Sequence, residues 1–583
     1  MTDDREVRPQ RRVEALLDLW VLVPVVVLCR PLLTSGGYPF ARDLVLTPAL
    51  PLRPEALGLG TGSPRAAPLD AVVAVLSTVV DGGVVGRVAV VGVLLAAGMA
   101  GHRAVRGLGV APRALAGALA VWNPFVVERL GLGQWALLAG YAAVLGVLAV
   151  VRPGRDAGRR GTAARVAPWL LLGALTPTGA LLAGAAAVVL AVRHRRDVGV
   201  VVLAGLVQLP WLLPALLGGA GAVSDPAAVA AFAARAERPG PALLSLVGLG
   251  GIWDGQSVPG SRTGWLGHLT AGLVVVVLVV AARRSGAGPA RPSGRLWALG
   301  LGSLALAALT SLPVAGEVVA DLTAVVPGLG LLRDAQKWLA AFVALAVVAA
   351  AVTADRLLRL VRRRAGALAP TALVLVVVAP FALLPDATVV VHRVLTPVAY
   401  PTELGRAAEV VAADPGLVAS TPWRLYRTFA WAGPYTTYDP ASRWLDARVV
   451  TSDDLVLADR VVRGEDPLAA RIGSLVDDPG PGTAEGLAAL GVRWVLVALD
   501  DPAAPDLLDA LLATSGTEPA VEGPAFVLLG VTGTDDRAGA ALEVPGWRVA
   551  LVAAVDLLVL LVTLVVARPR SSRGGRSGSV TVA

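Results

Sequence analysis

The sequence predicts a polytopic α-helical membrane protein of about 11–12 helices with one water-exposed domain of α/β or α+β type. Hydrophobic residues make up 55% of the 583-residue chain, charged residues make up only 16%, and the mean hydropathy is +0.69. This composition is far from that of a soluble globular protein. Short arginine clusters alternate with apolar runs, and one long stretch near the C-terminus departs from both patterns.

A membrane-spanning helix needs about 20 consecutive, mostly apolar residues. The runs that approach this length are 14–33, 84–101, 108–122, 135–151, 198–217, 265–282, 296–312, 338–354, 367–385 and 547–567. The arginine clusters between and beside them are 102–106, 152–165, 193–196, 283–295, 356–364 and 568–576. Because cytoplasmic loops carry an excess of arginine and lysine, the pattern predicts a plasma-membrane protein whose N-terminal tail (1–13) and basic C-terminal tail (568–583) are both cytoplasmic.

Residues 166–192 are apolar but have arginine at both ends, Arg165 and Arg193. A single span would place one of these arginine clusters outside. The run is interrupted by a Thr-Pro-Thr-Gly sequence at 176–179, which favours a turn. We therefore predict two short helices that fold back at this turn. Because non-helical backbone at membrane depth is tolerated only against protein or water, we expect the turn to border a cavity.

The segments predicted to face outward are 34–83, 123–134, 218–264, 313–337 and 386–546. The last of them holds 23 acidic residues against 11 arginines, a net charge of −12 in a chain whose net charge is +8. Such a shift, over a stretch long enough for its own core, indicates a separate extracytoplasmic domain. It would follow a membrane domain (14–385) and precede a final span (547–567).

Within 386–546, sequence periodicity predicts both helices and strands. Helical spacing occurs at Thr402–Ala413 and Thr483–Leu490. Alternating or continuous apolar runs predict strands at Trp423–Phe429, Val492–Ala498 and Ala525–Val531.

No metal or cofactor site is predicted. The four histidines (His102, His194, His268 and His392) are scattered without metal-ligand spacing. The single cysteine, Cys29, excludes an intrachain disulfide. The adjacent carboxylates Asp453 and Asp454 are expected to be solvated, and no metal is assigned to them. The arginines are divided among short loops rather than gathered on one face, so nucleic-acid binding is not predicted either.

The first outer loop contains the pair Arg42-Asp43 about ten residues beyond the first span. A carboxylate at this place lies near the outer membrane surface, where a lipid-linked substrate presents its head group. As a general base, Asp43 can take a proton from an acceptor hydroxyl. One carboxylate suffices when the leaving group is an already charged lipid phosphate, unlike the pair in a typical glycosidase. The alternative is a simple Arg42–Asp43 neighbour pair on a solvated loop.

The second outer loop begins with Trp122-Asn123-Pro124, a pattern that ends the preceding helix because the residue before proline avoids the helical region. Trp122 and Trp135 bracket the loop and fit an interfacial aromatic belt. A structural turn explains these residues. It does not explain the polar residues that follow, and we predict that these line the same cavity as Asp43: Glu128, Arg129 and Gln134.

The fourth outer loop ends in Arg333-Asp334-Ala335-Gln336-Lys337, immediately before an apolar run, and Lys337 is the only lysine in the chain. A lysine retained in an arginine-rich chain suggests that a compact, mobile ammonium is needed at this position. If the helix extends back to them, Arg333 and Lys337 fall on one face and can neutralise a phosphate or diphosphate, with Asp334 and Gln336 orienting them. The alternative is a snorkelling anchor beside Trp338. The third outer loop adds Asp225, Glu237, Trp253, Asp254 and Gln256. Two acidic groups and a tryptophan can line a sugar site, but this spacing is not specific to one.

The arrangement of spans, first-loop aspartate, short folded-back helices and outer domain resembles the GT-C class of membrane glycosyltransferases. Trp122–Tyr141 and Leu332–Trp338 are similar to segments of actinobacterial membrane proteins of this type, which are loosely similar to mycobacterial arabinofuranosyltransferases and to YfhO-like proteins. Leu490–Val497 is similar to the outer domain of the YfhO-like group. The resemblance carries the GT-C aspartate onto Asp43. Many members have a paired acidic motif there, whereas here the next acidic residue is Glu55.

The resemblance implies an inverting enzyme that needs no cofactor. It would transfer a sugar from a polyprenyl-phosphate donor to a cell-envelope glycan or glycolipid on the outer face, in contact with membrane lipid and not with nucleic acid. The alternative is a non-catalytic membrane protein that binds or translocates a lipid-linked envelope glycan. Ionisable residues inside spans, which a transport pathway favours, are few: Arg30, Arg87 and Asp556. The sugar and the acceptor are not identifiable at this level.

Overall fold

The computed structural model describes residues 4–60, 66–151, 161–218, 223–283, 291–457, 460–534 and 536–568. Residues 1–3 of the predicted N-terminal tail, most of the arginine clusters 152–165 and 283–295, and the tail from 569 onward lie outside the described residues. Up to residue 395 the described chain is mainly helical. The α-helices of this part are α1 Asp4–Thr34, α2 Leu69–Ser77, α3 Gly82–Ala104, α4 Val110–Val121, α5 Pro124–Gly131, α6 Trp135–Val150, α7 Thr162–Gly173, α8 Pro177–Ala191, α9 Val198–Leu206, α10 Leu209–Leu217, α11 Ala227–Ala231, α12 Ala242–Val247, α13 Trp265–Ala282, α14 Gly294–Ala308, α15 Pro313–Thr323, α16 Ala340–Arg364, α17 Ala369–Leu383 and α18 Ala387–Leu395.

Seven helices or joined helices in the described part of the chain are long and apolar enough to cross a membrane. They are Arg11–Thr34, Gly82–Ala104, Val110–Gly131, Trp265–Ala282, Ala335–Arg364, Gly366–Leu383 and Gly546–Ala567. Two helix pairs, bent by 44° and 84°, raise the number to nine if each pair is one span. The predicted runs 135–151 and 166–192 form shorter helices that pack among the spans. The prediction of a polytopic α-helical membrane protein is confirmed.

The predicted fold-back of 166–192 is present as the pair α7 and α8, which pack against each other. Thr176 caps α8 by accepting a hydrogen bond from the backbone N–H of Gly179 (3.0 Å). The turn borders protein rather than the expected cavity, because Gly179 packs directly on Gly140 of α6. Packed protein satisfies the same requirement that broken backbone at membrane depth be shielded from lipid.

The contact between α6 and α8 leads to a stability prediction. A Cβ added to Gly140 would lie 2.5 Å from Gly179 Cα, a backbone atom that cannot move aside as a side-chain tip can. Gly140→Ala is therefore expected to lower the free energy of unfolding by about 1–3 kcal/mol, measured as a lower thermal midpoint of the purified protein. Gly92→Ala in α3, whose Cβ position has no atom within 4 Å, is the matched control. Equal midpoints for the two variants would contradict this packing.

The second outer loop differs from its prediction. α4 ends at Val121, as the Asn-Pro sequence predicts, but Asn123 then caps the short helix α5 by accepting from Val126 N–H (3.1 Å). Every residue of α5 is buried. Trp122 is buried too, and its indole N–H donates to the carbonyl of Leu384 (2.9 Å). Trp122 therefore does not belong to an interfacial belt, because α5 returns the chain into the bundle.

The part of the chain from residue 396 onward contains a mixed five-stranded sheet with helices, so the prediction of a sheet-containing domain is confirmed. The strands of the protein are β1 Tyr38–Ala41, β2 Leu44–Val45, β3 Pro397–Val398, β4 Leu417–Thr421, β5 Tyr426–Thr428, β6 Thr436–Tyr438, β7 Val449–Val450, β8 Leu455–Val456, β9 Val461–Val462, β10 Val492–Ala498, β11 Thr517–Val521 and β12 Phe526–Val531. The remaining helices are α19 Thr402–Ala413, α20 Ala441–Trp444, α21 Pro467–Val476, α22 Thr483–Ala489, α23 Ala504–Ala513, α24 Asp536–Ala541 and α25 Gly546–Ala567. The main sheet has the order β11-β12-β10-β4-β7.

The main sheet is buried on both faces. β10 pairs in parallel with β4 and antiparallel with β12. Alternate residues of β10 enter different cores: Trp494 and Leu496 lie in one, Val495 and Val497 in the other. Near its edge, Asp453 and Asp454 accept hydrogen bonds from backbone N–H groups of 464–466 (2.5–2.8 Å). The pair was expected to be solvated, but it instead holds this loop, because carboxylates bind free backbone donors.

The first outer loop joins the helical bundle to the sheet domain. β1 pairs with β2 to form a hairpin and with β3 on its other side. At the opposite end of α1, Glu14 contacts Arg113 (2.6 Å) and Asp18 contacts Arg103 (2.7 Å). α1 is 31 residues long, about 46 Å at 1.5 Å per residue. The arginines of 102–113 and the sheet domain therefore lie at opposite ends of this helix.

Candidate functional site

Asp43 lies where the β1–β2 hairpin meets the end of α5. Its backbone N–H donates to the carbonyl of Leu132 (3.1 Å). Gly133 follows with a φ of +77°, and a Cβ there would lie 2.5 Å from the backbone nitrogen of Leu44. Only glycine fits both the left-handed conformation and this close approach. Arg42, at the tip of the hairpin, has a φ of +59°. Non-glycine residues rarely adopt this conformation, and those that do are concentrated at functional sites.

The Asp43 carboxylate has a hydrogen-bond donor on each oxygen. Tyr426 from β5 donates to Oδ1 (2.6 Å), and the Gln134 amide donates to Oδ2 (2.8 Å). Withdrawal from water raises the pKa of Asp43 above the ordinary value of aspartic acid, and the two hydrogen bonds only partly oppose that rise. A raised pKa makes a carboxylate a stronger base, which suits proton transfer near neutral pH.

Arg129 organises the buried side of the site. Its side chain is fully buried and makes a bidentate pair with Asp334 (2.7 and 2.9 Å). It also donates to Gln134 Oε1 (2.6 Å) and to Gln336 Oε1 (2.7 Å). Burial raises the pKa of Asp334, but the Arg129 guanidinium outweighs it, so the pKa is held below the ordinary value and Asp334 is a carboxylate. Asp43, Gln134, Arg129 and Asp334 thus form one continuous hydrogen-bonded chain.

A second branch of the network runs through Gln336 to Glu128. The Gln336 amide donates to Glu128 Oε2 (3.1 Å), which also accepts from the backbone N–H of Ile252 (3.2 Å). The carboxyl groups of Glu237 and Glu128 lie close together on either side of Gly250. A Cβ added to Gly250 would overlap Glu237 Oε1 and lie 2.5 Å from Glu128 Oε1. Arg262 neutralises Glu237 (2.8 Å). The third outer loop is therefore tied to the same buried network.

Arg333 and Lys337 lie at the edge of this network. The Arg333 guanidinium is 5.4 Å from the Phe232 ring centre, and Lys337 Nζ is 5.7 Å from the Trp338 ring centre. The α-helix begins only at Ala340, and Asp334, with φ −83° and ψ 85°, separates two short 3₁₀ segments. The α-helix therefore does not extend back to Arg333 and Lys337, so the condition under which the two cations fall on one helical face is not met. Both cations still flank Asp334 and lower its pKa.

Arg42 does not form the neighbour pair with Asp43 that was considered as an alternative. Its guanidinium donates to Gln256 and lies 3.9 Å from Asp254 Oδ2. Its backbone carbonyl accepts from Tyr438 N–H (2.9 Å) in β6. The two side chains therefore have separate partners.

The structure brings together most of the predicted site residues. Asp43, Glu128, Arg129, Gln134, Asp334 and Gln336 share one network. Two residues of the network are not predicted from the sequence: Tyr426, which is 383 residues from Asp43, and Arg262. A strand was predicted around Tyr426, but no local pattern indicates its partner. Among the described residues, no group of three or more His, Cys, Asp or Glu is placed to hold a metal ion.

The apolar spans, the sheet domain and the buried polar network at their junction define a polytopic α-helical membrane protein with a sheet-containing domain. The chain is similar to the cryo-EM structure of the arabinofuranosyltransferase AftD from mycobacteria, with 18% identity and a TM-score of 0.50 over 90% of this chain and 40% of that chain. For a variant of AftD the identity is 18% and the TM-score is 0.50, over 91% of this chain and 42% of that chain. The likeness concerns the fold, and this chain spans less than half the length of AftD. No protein-family model and no curated protein matches the chain.

Proposed function

We propose that this protein is a membrane glycosyltransferase that transfers a sugar from a polyprenyl-phosphate donor to a glycan or glycolipid of the cell envelope. The observation that carries the proposal is the hydrogen-bonded chain from Asp43 through Gln134 and Arg129 to Asp334. It connects a candidate base to the segment that bears Arg333 and Lys337. The likeness to AftD supports the fold and makes an arabinofuranosyl donor the first one to test.

The proposed reaction is an inverting displacement. The acceptor hydroxyl oxygen attacks the anomeric carbon while the bond from that carbon to the phosphate oxygen breaks. Asp43 takes the hydroxyl proton, and polyprenyl phosphate leaves with the bonding electron pair. Lys337 and Arg333 offset the negative charge that grows on the phosphate. Arg42 contributes to substrate binding from the hairpin tip.

The buried residues position this machinery rather than react. Arg129 fixes Gln134, which in turn holds the Asp43 carboxylate. Gln336 links Arg129 to Glu128, and Glu128 holds the third outer loop through Ile252. Such a preorganised shell keeps a base within the narrow geometry that proton transfer requires.

The proposed orientation places Asp43 on the outer face, with both termini and the arginine clusters cytoplasmic. The described clusters support it: Ala111 and Leu115 of α4 pack on Ala354 and Leu358 of α16. The arginines of 102–113 and 356–364 therefore share one end of the bundle. Asp43 and the sheet domain are at the other end of α1.

The test is sugar transfer by the purified protein in phospholipid nanodiscs. Radiolabelled polyprenyl-phosphate sugars, a pentose donor first, are incubated with envelope glycan, and label in the glycan is counted against a protein-free reaction. Protein-dependent transfer is expected. Donor binding without transfer from any donor would instead favour the non-catalytic alternative, in which the protein binds or translocates the lipid-linked glycan.

Lys337→Ala is expected to weaken donor binding about tenfold or more, because a charged contact to phosphate is worth roughly 1.5–3 kcal/mol. The thermal midpoint should change little, since Lys337 is only half-buried. Lys337→Arg, which keeps the charge, is the control and should retain most of the affinity. A loss of expression with intact donor affinity would identify Lys337 as a structural anchor.

Tyr426→Phe is expected to move the acid limb of the transfer rate to higher pH. The Tyr426 hydroxyl stabilises the Asp43 carboxylate and so opposes the rise in its pKa. Without it the pKa of Asp43 rises further, and more of the base is protonated at any pH on that limb. Tyr435→Phe, nearby in sequence, serves as the control. An unshifted limb in Tyr426→Phe would mean that Asp43 is not the group that titrates.

A further inference from the structure

A small pocket lies between segments 235–237 and 252–263 of the third outer loop. Its volume is about 170 Å³, and its lining includes Arg235, Glu237, Trp253, Val258 and Thr263. Pockets for drug-sized ligands measure about 300–1,000 Å³. This pocket therefore has room for a single ring rather than for an oligosaccharide or a lipid chain.

The lining combines an aromatic wall with separate polar groups. Trp253 and Val258 are apolar, whereas Arg235 offers guanidinium N–H donors and the Thr263 hydroxyl, which donates to the Gly260 carbonyl (2.9 Å), offers an acceptor. Sugars present apolar C–H faces and a rim of hydroxyl groups, which match an aromatic wall flanked by polar side chains. Glu237 is already neutralised by Arg262 (2.8 Å) and Arg238 (3.3 Å). Arg235, which donates to the Ala231 carbonyl (3.1 Å), has further guanidinium N–H groups that can donate to ring hydroxyl groups.

The pocket wall is connected to the proposed reaction site on two sides. Ile252 is hydrogen-bonded to Glu128 (3.2 Å), and Asp254 faces Arg42, the neighbour of Asp43. The Trp253 ring packs edge-on against the Phe232 ring, with 4.8 Å between the ring centres. The Arg333 guanidinium also contacts Phe232, 5.4 Å from its ring centre. Residues 252–254 at the pocket wall are therefore in contact with Glu128 and Arg42 and, through Phe232, with Arg333.

We infer that this pocket binds one sugar ring of a glycosyl substrate, with Trp253 as its stacking wall. The assignment deepens the proposed function and rests on it for the identity of the substrate. The ring belongs either to the donor or to the acceptor, and the two sources present the same chemistry to the pocket.

The first experiment measures binding without catalysis. Saturation-transfer difference NMR is recorded on the full-length protein in phospholipid nanodiscs, which avoid the sugar head groups of glycoside detergents. The probes are neutral methyl pentosides and methyl hexosides. Trp253→Ala is compared with Trp265→Ala, a matched variant whose side chain is 72% exposed and lies outside the pocket. Thermal midpoints show whether each variant is folded. If Trp253→Ala does not fold, Trp253→Phe, which keeps an aromatic wall, replaces it in the comparison.

Trp253→Ala is expected to lose most of the saturation signal, while Trp265→Ala retains it and Trp253→Phe retains part of it. An unchanged signal in Trp253→Ala, or no signal from any methyl glycoside in the unmodified protein, would overturn the assignment.

The second experiment measures KM for donor and acceptor separately. Trp253→Ala should raise one of the two by roughly three- to tenfold, and the substrate affected identifies the source of the ring. Transfer with both KM values unchanged would refute the assignment of a sugar ring to this pocket and leave the proposed function intact. Sugar binding without any transfer would refute the proposed function and leave the pocket.

Discussion

Arg129→Ala is expected to lower the free energy of unfolding by about 3–5 kcal/mol, the usual cost of removing one partner of a buried ion pair. Arg129 is fully buried and donates hydrogen bonds to Asp334, Gln134 and Gln336. Without the guanidinium, the Asp334 carboxylate is left without its principal counter-charge. The measurement is the thermal midpoint, or a denaturant titration, of the purified protein in detergent.

A double variant separates the ion pair from general packing. In Arg129→Ala/Asp334→Ala the orphaned carboxylate is gone, so part of the lost stability should return. The exposed pair Arg493–Asp414 is the control, because its side chains are 35% and 50% exposed. Arg493→Ala should cost no more than about 1 kcal/mol. If Arg129→Ala lowered the free energy of unfolding no more than Arg493→Ala, the buried network would not stabilise the fold as expected.

Asp43→Asn is expected to reduce the transfer rate by about 10²–10⁴-fold, the usual contribution of a positioned general base. Asparagine has nearly the same shape. Its oxygen can accept from the Gln134 amide and its NH2 group can donate to the Tyr426 hydroxyl oxygen, so the fold should persist. Glu55→Gln is the matched control, since Glu55 is the next acidic residue of the same loop and is 39% exposed. Undiminished transfer in Asp43→Asn would remove this carboxylate from the mechanism.

The pH profile of the unmodified protein gives a second test of Asp43. A base acts only when deprotonated, so transfer should fall as the pH falls through the pKa of Asp43. Because burial raises that pKa, the acid limb should lie above the range of an ordinary aspartate. The limb should disappear in Asp43→Asn, leaving a low rate that no longer depends on this titration.

Elements with strong local signals were predictable almost to the residue. Val492–Ala498 and Thr402–Ala413 have the bounds that periodicity predicts. Trp423–Phe429 forms a strand only at Tyr426–Thr428. The strand Leu417–Thr421, which lies next to the central strand, was missed because its apolar run is short and ends in Ser420 and Thr421. Its burial on both faces depends on the helices that cover the sheet.

Composition and hydropathy determine that this chain belongs in a membrane and that Asp43, Arg129 and Asp334 interrupt apolar surroundings. Polar groups in such surroundings need partners, so they stand out locally as candidates. The identity of each partner was decided only by the folded chain. Tyr426 reaches Asp43 across 383 residues, and Asp334 reaches Arg129 across 205. Such pairings follow from how the hairpin, the bundle and the sheet domain pack together, and periodicity and local propensity carry no information about that packing.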